Sequence, residues 1–220
     1  MSTRPSNRVR VRRNPKKGRY DSTTIGAILD RALVGHVAFV ERGDPVCIPT
    51  LCARVGEQVY IHGSRASRTL RELARGGPAC LTVTHVQGLV LARSAFEHSV
   101  NYESVVAFGR FHEVDDRDER LAALEAFTEK LLPGRWSEVR PPSGQELKAT
   151  TILAMEIEEA SAKLRSGPPD DDDTPDADRD TWAGELPITT AWGRPVPSPG
   201  LRAEIPLAAS VQRLIQAEGV

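Results

Sequence analysis

Hydrophobic positions change their spacing several times along this chain, and each change marks an element. Ile25, Ile28, Leu29, Ala32 and Leu33 recur at helical intervals, so they share one apolar face. Asp21 or Ser22 can cap that helix through a side-chain oxygen, and Gly35 is placed to end it. The period then shortens. Residues 36–41, 46–54 and 58–62 read as strands, separated by turn chemistry at Arg42-Gly43-Asp44-Pro45 and Val55-Gly56-Glu57. Pro49 cannot donate to a ladder, so the second of these strands implies a sheet edge or a bulge.

Gly63 breaks the third strand. Residues 64–75 read as a helix with Leu70, Leu73 and Ala74 on one face, stopped by Gly76-Gly77-Pro78. Residues 79–86 and 89–94 read as strands around a Gln87-Gly88 turn, and 102–114 as another. Residues 115–132 form an amphipathic helix pattern with Leu121, Leu124, Phe127 and Leu131 aligned, and 149–158 read as the last strand. Strands that neighbour one another in sequence favour antiparallel pairing over βαβ units. A small Greek-key barrel with helices packed outside accounts for the order.

The ends of the chain are different in kind. Residues 1–18 are basic and lack hydrophobic periodicity, which fits a flexible or weakly docked arm: a solvated leader, or a strap across a dimer partner. Residues 19–167 carry the barrel pattern. Residues 168–220 begin with an acidic, apolar-poor run (170–180) expected to be a mobile loop. A Trp- and Pro-rich stretch (181–206) follows, expected to dock by its aromatics, and a short helix closes the chain within 203–217.

Composition narrows the function classes. The 220 residues are 40% hydrophobic and carry a formal net charge of −1, so the whole molecule has no strong attraction for nucleic acid or an anionic membrane. No stretch approaches the ~20 apolar residues of a spanning helix, and no apolar run follows the basic N-terminus. The expectation is a cytoplasmic protein. Cys47, Cys52 and Cys80 make no CxxC pair, which argues against a disulfide framework or a thiolate zinc site.

Candidate chemistry concentrates where the third strand meets the following helix. His62-Gly63-Ser64-Arg65-Ala66-Ser67-Arg68 brings hydroxyls and guanidiniums to a helix start, where free amides suit a phosphate. The same residues also suit a capped helix with solvent-facing arginines. A second polar segment, 91–102, sits between strands and includes His98, Asn101 and Tyr102. A third places Trp136 beside Arg135 and Arg140, where it can stack on a planar ligand or cap the barrel. A fourth puts Lys163 and Arg165 just past the last strand. No Walker loop, GxGxxG, HExxH or GxSxG occurs.

Taken in order, a series of segments resembles the pyridoxamine 5′-phosphate oxidase-related flavoproteins, in the flavin-nucleotide-binding, nitroimidazole-reductase-like subgroup. The marks are Gly18-Arg19-Tyr20-Asp21, His36-Val37-Ala38-Phe39-Val40, Ile48-Pro49-Thr50, His62-Gly63-Ser64 with Ser67-Arg68, Ala92-Arg93-Ser94-Ala95-Phe96, Ser99 with Asn101-Tyr102, Pro133-Gly134-Arg135-Trp136, Glu146-Leu147-Lys148-Ala149-Thr150, and Ser161-Ala162-Lys163 with Arg165. The resemblance implies a mainly β protein with flanking helices, built on a six-stranded antiparallel Greek-key split β-barrel. It also implies a homodimer holding FMN at its interface.

By that resemblance His62, Gly63, Ser64, Ser67 and Arg68 meet the FMN phosphate and ribityl chain. Ile48, Pro49 and Thr50 run beside the isoalloxazine ring, and Asn101, Tyr102, Trp136 and Lys163 reach the cofactor from the second subunit. Glu97 stands where the subgroup carries a second histidine, and Val100 where it carries a methionine, which leaves the substrate side open. The expected activity is an FMN-dependent oxidoreductase acting on a small molecule, with the flavin supplying the electron chemistry and no catalytic side chain assigned. Two alternatives stay open: a split barrel binding haem or a deazaflavin, with His62 and His98 as conceivable iron ligands, and a non-enzymatic flavin-binding protein.

Overall fold

A computed structural model describes residues 5–218. Its strands are β1 (Gly18–Arg19), β2 (Val34–Glu41), β3 (Asp44–Val55), β4 (Gln58–Ser64), β5 (Pro78–Leu91), β6 (Ser99–Glu113), β7 (Thr150–Glu156), β8 (Glu159–Arg165) and β9 (Gly184–Pro187). Its α-helices are α1 (Ser22–Arg31), α2 (Arg68–Leu73), α3 (Arg117–Leu131), α4 (Gly144–Ala149) and α5 (Ala209–Glu218). Strands β2, β3, β4, β7, β6 and β5 pair in that order, and β5 returns to β2, so six antiparallel strands close a ring. β8 adds outside β6, β1 outside β8, and β9 outside β5.

The ring is split because two long strands serve both halves. β3 pairs with β2 as far as Leu51 and with β4 from Cys52 onward. β6 pairs with β5 and β8 first, and with β7 only from Phe111. Gly109 lies just before that switch, where an added Cβ would run into the Glu156 carbonyl and the Met155 side chain. Pro49 sits on the half of β3 that pairs only with β2, so the edge its missing N–H requires is there. The β2–β3 hairpin turns on Arg42 (φ 52°) and Gly43 (φ 93°), the doubly left-handed backbone that suits strand twist.

Two apolar cores result. Val37, Ile61, Leu81, Val83, Val105, Leu153 and Met155 fill the barrel, with Ile28 and Leu29 of α1 and Leu70 and Leu73 of α2 packed against them. Ala53, Tyr60, Ile152 and Ala154 project from the other face of β3, β4 and β7 and meet Ala123 and Phe127 of α3. Asp21 caps α1 by accepting from the Thr24 amide, and Asp116 caps α3. Arg120 donates to the carbonyls of Val114, Leu147 and Thr150, which ties α3 to α4 and β7.

Several expectations need correction. The helix expected from residue 64 starts at Arg68, because Ser67 rather than Ser64 caps it. Gln87-Gly88 is no hairpin turn: β5 runs through it with a register shift, and the two expected strands are one. Residues 159–165, expected to lie past the last strand, form β8, and 144–149 form α4 behind a Ser143 capping box. On α3 the buried face is Ala123 and Phe127, while Leu131 is half exposed.

The ends also depart from expectation. The arm docks on its own barrel: Val9 is buried, Arg8 lies over the Phe108 ring, and the Val11 amide donates to the Tyr20 hydroxyl. The acidic run is anchored, since Asp171 is fully buried and accepts from both the amide and the guanidinium of Arg93. The tryptophans of the tail stay largely exposed, and the tail attaches instead through β9.

Candidate functional site

Strand β4 positions the site, and its two-residue period decides which side chain serves which face. Val59 and Ile61 point into the barrel core, and a Cβ on Gly63 would meet Leu70 of α2 at 3.1 Å. Tyr60 faces the other way, toward α3, and so does His62: its ring packs against Phe127 at a tilt of 57°, with centroids 4.3 Å apart. A cavity opens on each side.

The first is a notch of about 150 Å³ between β3, β4 and α2. Ile48, Thr50, His62, Gly63, Ser64, Ser67 and Thr69 line it, backed by Val37, Ile61, Leu70 and Leu73. Six of the twelve expected cofactor contacts therefore share one cavity. Its turn is already well bonded internally. The Arg65 amide donates to the Ala149 carbonyl, the Ala66 amide to Ser64 Oγ, the Ser67 amide to the Ser64 carbonyl and the Leu70 amide to Ser67 Oγ. Only the Arg68 and Thr69 amides, in the first helical turn, face no intrahelical acceptor. At six residues α2 also carries little dipole. Anion recognition at this notch thus rests on the Ser64, Ser67 and Thr69 hydroxyls and those two amides.

The second cavity, about 480 Å³, lies beneath α3. Leu51, Leu124, Phe127, Leu131, Trp136 and Val139 make it apolar, His62 opens into it, and Arg140 and Glu146 stand at its polar side. His62 Nδ1 is buried there with no hydrogen-bond partner among the described residues, an arrangement that costs free energy in a folded chain unless something fills it. Burial holds the imidazole pKa below its ordinary value, so the ring is neutral and keeps a lone pair. Glu146 is held down to about 2 by hydrogen bonds from Arg140 and from Ser143. Tyr60, on the same face, is pushed up to about 12 by burial and by Glu119.

The family model for pyridoxamine 5′-phosphate oxidase matches residues 21–164, well over half of the chain. The chain belongs to the pyridoxamine 5′-phosphate oxidase family. Two solved structures resemble it nearly throughout. The flavocytochrome Anf3 of Azotobacter vinelandii is 37% identical over 96% of this chain and 97% of its own, with a TM-score of 0.88. A FAD and haem binding protein of Mycobacterium smegmatis is 40% identical over 90% and 97%, with a TM-score of 0.85. A putative 5-nitroimidazole antibiotic resistance protein of Bacteroides thetaiotaomicron shares the fold at 17% identity over 67% and 87%, with a TM-score of 0.56. No curated protein matches the chain. The six-stranded split barrel that the family resemblance implied is the fold of this family member.

The other expected site residues of this oxidase-family chain lie apart from the notch. Arg68 turns outward and pairs with Glu41 at 3.0 Å. Pro49 is exposed opposite His36. Asn101 is buried, donating to Glu185 at 2.5 Å and accepting from Arg165, so both ends of its amide are engaged. Tyr102 and Lys163 stand on the outer face of β6 and β8, where Lys163 borders residues 8–13 of the arm. Trp136 lines the cleft under α3.

That cleft is what the sequence reading missed. Its walls come from β3, β4, α3 and the 131–146 connection, so no contiguous motif announces it. The parity of β4 is the signal that finds it, because it separates the His62 ring from Ile61 and Gly63. A further cavity of about 320 Å³ lies under the N-terminal arm. Its guanidinium, Arg54, is engaged through all three nitrogens, with Asp30 and the Gly56 carbonyl. No helix among the described residues is long and apolar enough to cross a membrane, and no group of three His, Cys, Asp or Glu side chains among them is disposed to hold a metal ion.

Proposed function

We propose that this chain is a flavin- and haem-binding oxidoreductase that works as a homodimer. The observation that carries the reading is the pairing of two unlike cavities on the two sides of β4. It is supported by near full-length likeness to two proteins, one called a flavocytochrome and the other a FAD and haem binding protein. The notch suits a flavin: Ile48 and Val37 offer an apolar wall, while Thr50, Ser64, Ser67 and Thr69 offer hydroxyls to polar ring atoms and phosphate oxygens. The cleft suits a haem, with apolar walls, one neutral histidine and a cation at its edge. Bound together, the two groups supply hydride acceptance and one-electron transfer, while the chain orients them and excludes water.

FAD is the flavin favoured here over the FMN of the sequence expectation, on the strength of the 40% identical relative. The dimer rests on size and surface. A notch of about 150 Å³ is smaller than the ~300–1,000 Å³ of an enclosed small-molecule site, so one chain leaves the flavin partly uncovered. The outer face of β2, β5, β6 and β8 keeps Ala38, Cys80, Phe108 and Val106 only half buried, with Tyr102 and Lys163 on the same face. Arm residues 8–13 already run along the β6 and β8 part of that face, so a second copy docks against the arm as well as the strands.

One measurement tests the reading: the absorption spectrum of the purified full chain, with chromatography of the released flavin and light scattering of the native species. A dimer showing a Soret band beside flavin absorbance is expected, with FAD released. A colourless monomer that ignores added flavin and haemin overturns it. Turnover of a nicotinamide donor with an artificial acceptor separates an enzyme from a binding protein.

A further inference from the structure

We infer that haem occupies the cleft beneath α3 and that His62 is an axial ligand to its iron. The inference rests on the flavin-and-haem reading above and deepens it by assigning the seat and the bond. Three features converge. The cleft holds about 480 Å³ and is walled by Leu51, Leu124, Phe127, Leu131 and Trp136, the apolar surface a porphyrin face requires. His62 opens into it from β4 with a buried ring nitrogen that nothing among the described residues satisfies. A neutral imidazole is a common protein ligand to haem iron. Arg140 stands at the polar side, bound to Glu146 at 2.7 and 2.8 Å, where a haem carboxylate can share its guanidinium.

The other histidines are placed differently. His85 Nε2 is engaged with the Ile28 carbonyl at 3.1 Å. His98 is exposed on the connection between β5 and β6, with Nδ1 2.8 Å from the Ser94 carbonyl. His36 is exposed on β2, and His112 near the end of β6. His62 alone among the five packs against an aromatic ring inside an apolar cleft. Its parity on β4 places the iron on the side of the strand opposite the flavin notch. His62 borders both cavities, so the two cofactors meet at this one residue.

The experiment compares the haemin-reconstituted full chain as wild type, His62→Ala, His62→Gly with and without imidazole, and His98→Ala. The readouts are the Soret band, electron paramagnetic resonance of the ferric iron and far-ultraviolet circular dichroism. The wild type and His98→Ala should show the same histidine-ligated spectrum. His62→Ala should lose it, and added imidazole should restore it to folded His62→Gly. A folded His62→Ala protein with an unchanged Soret band and ferric signature overturns the ligand assignment and leaves the flavin-and-haem reading standing. The same holds if imidazole restores nothing to folded His62→Gly. A wild type that takes up no haem overturns both.

Discussion

On one side of β4, Gly63 and Ile61 meet α2 across a small notch lined by four hydroxyl side chains. On the other, His62 and Tyr60 meet α3 across a larger cleft lined by seven apolar ones. The two cavities are built from adjacent residues of one strand, and they differ in size and in the polar groups they offer: hydroxyls in the notch, an imidazole and an ion pair in the cleft. The notch keeps its polar groups mutually bonded, so it presents a prepared, rigid turn. The cleft leaves a buried nitrogen unpaired, so its stability is held back until something fills it. A strand's alternation thus separates two binding chemistries with no intervening layer of protein.

The largest way to break this contrast is Phe127→Ala. Phe127 is 3% exposed and packs on the His62 ring. Truncation removes a buried aromatic and leaves a hole at the cleft floor, a loss of about 3–5 kcal/mol. Urea unfolding of the cofactor-free protein should show that loss, and haem retention should fall with it. Flavin affinity should hold, because Phe127 does not line the notch. A parallel fall in flavin affinity would mean that the cavities are one site.

A smaller pair of changes probes the notch. Ser67→Ala removes the acceptor for the Leu70 amide and should cost about 1 kcal/mol of stability, the usual loss for a helix cap. It also removes one hydroxyl from the notch. Gly63→Ala adds a methyl 3.1 Å from the movable end of Leu70, a crowding small enough to spare the fold. Both should weaken flavin binding in a fluorescence titration while leaving the haem spectrum alone. Loss of haem with flavin intact would reverse the assignment of the two cavities.

Much of the barrel was legible because its signals are local. The Arg42-Gly43 turn, the Asp21 cap and the helical spacing from Ile25 to Leu29 each declare themselves within a few residues. What was hidden depended on distant partners. β8 reads Glu-Ala-Ser-Ala-Lys-Leu-Arg, poor strand material, and becomes a strand only by pairing with β6 from Tyr102 to Phe108. Gly88 looked like a turn because glycine usually ends a strand, but here β5 absorbs it as a bulge between β6 and β9. Asp171 looked solvated in its acidic run, and the Arg93 that buries it lies 78 residues away. Half of the expected cofactor contacts gathered in the notch since they flank one strand–turn–helix. The rest scattered because they belong to another face of the sheet, a buried network or the cleft.

The gentlest probe of the contrast is pH, because the α3 side of β4 carries two shifted groups. Burial holds His62 below its ordinary value of 6.5, so the unfolded chain takes up this proton at a higher pH than the folded one. The stability His62 contributes is therefore present above about pH 6.5 and drains away as pH falls through the lower folded value. Tyr60 works in the opposite direction: raised to about 12, it contributes stability below pH ~10 that is lost as pH rises toward 12. Melting of the cofactor-free protein should fall on both limbs. His62→Leu should lessen the fall that begins below about pH 6.5, ahead of the carboxylates held low such as Glu146. Tyr60→Phe should lessen the alkaline fall, to which the raised Cys52 and Cys80 thiols also contribute. With haem bound to His62, protonation must compete with iron, so the acid limb should move to lower pH. A holoprotein whose acid limb coincides with that of the cofactor-free chain would show that the imidazole stays free in the cleft.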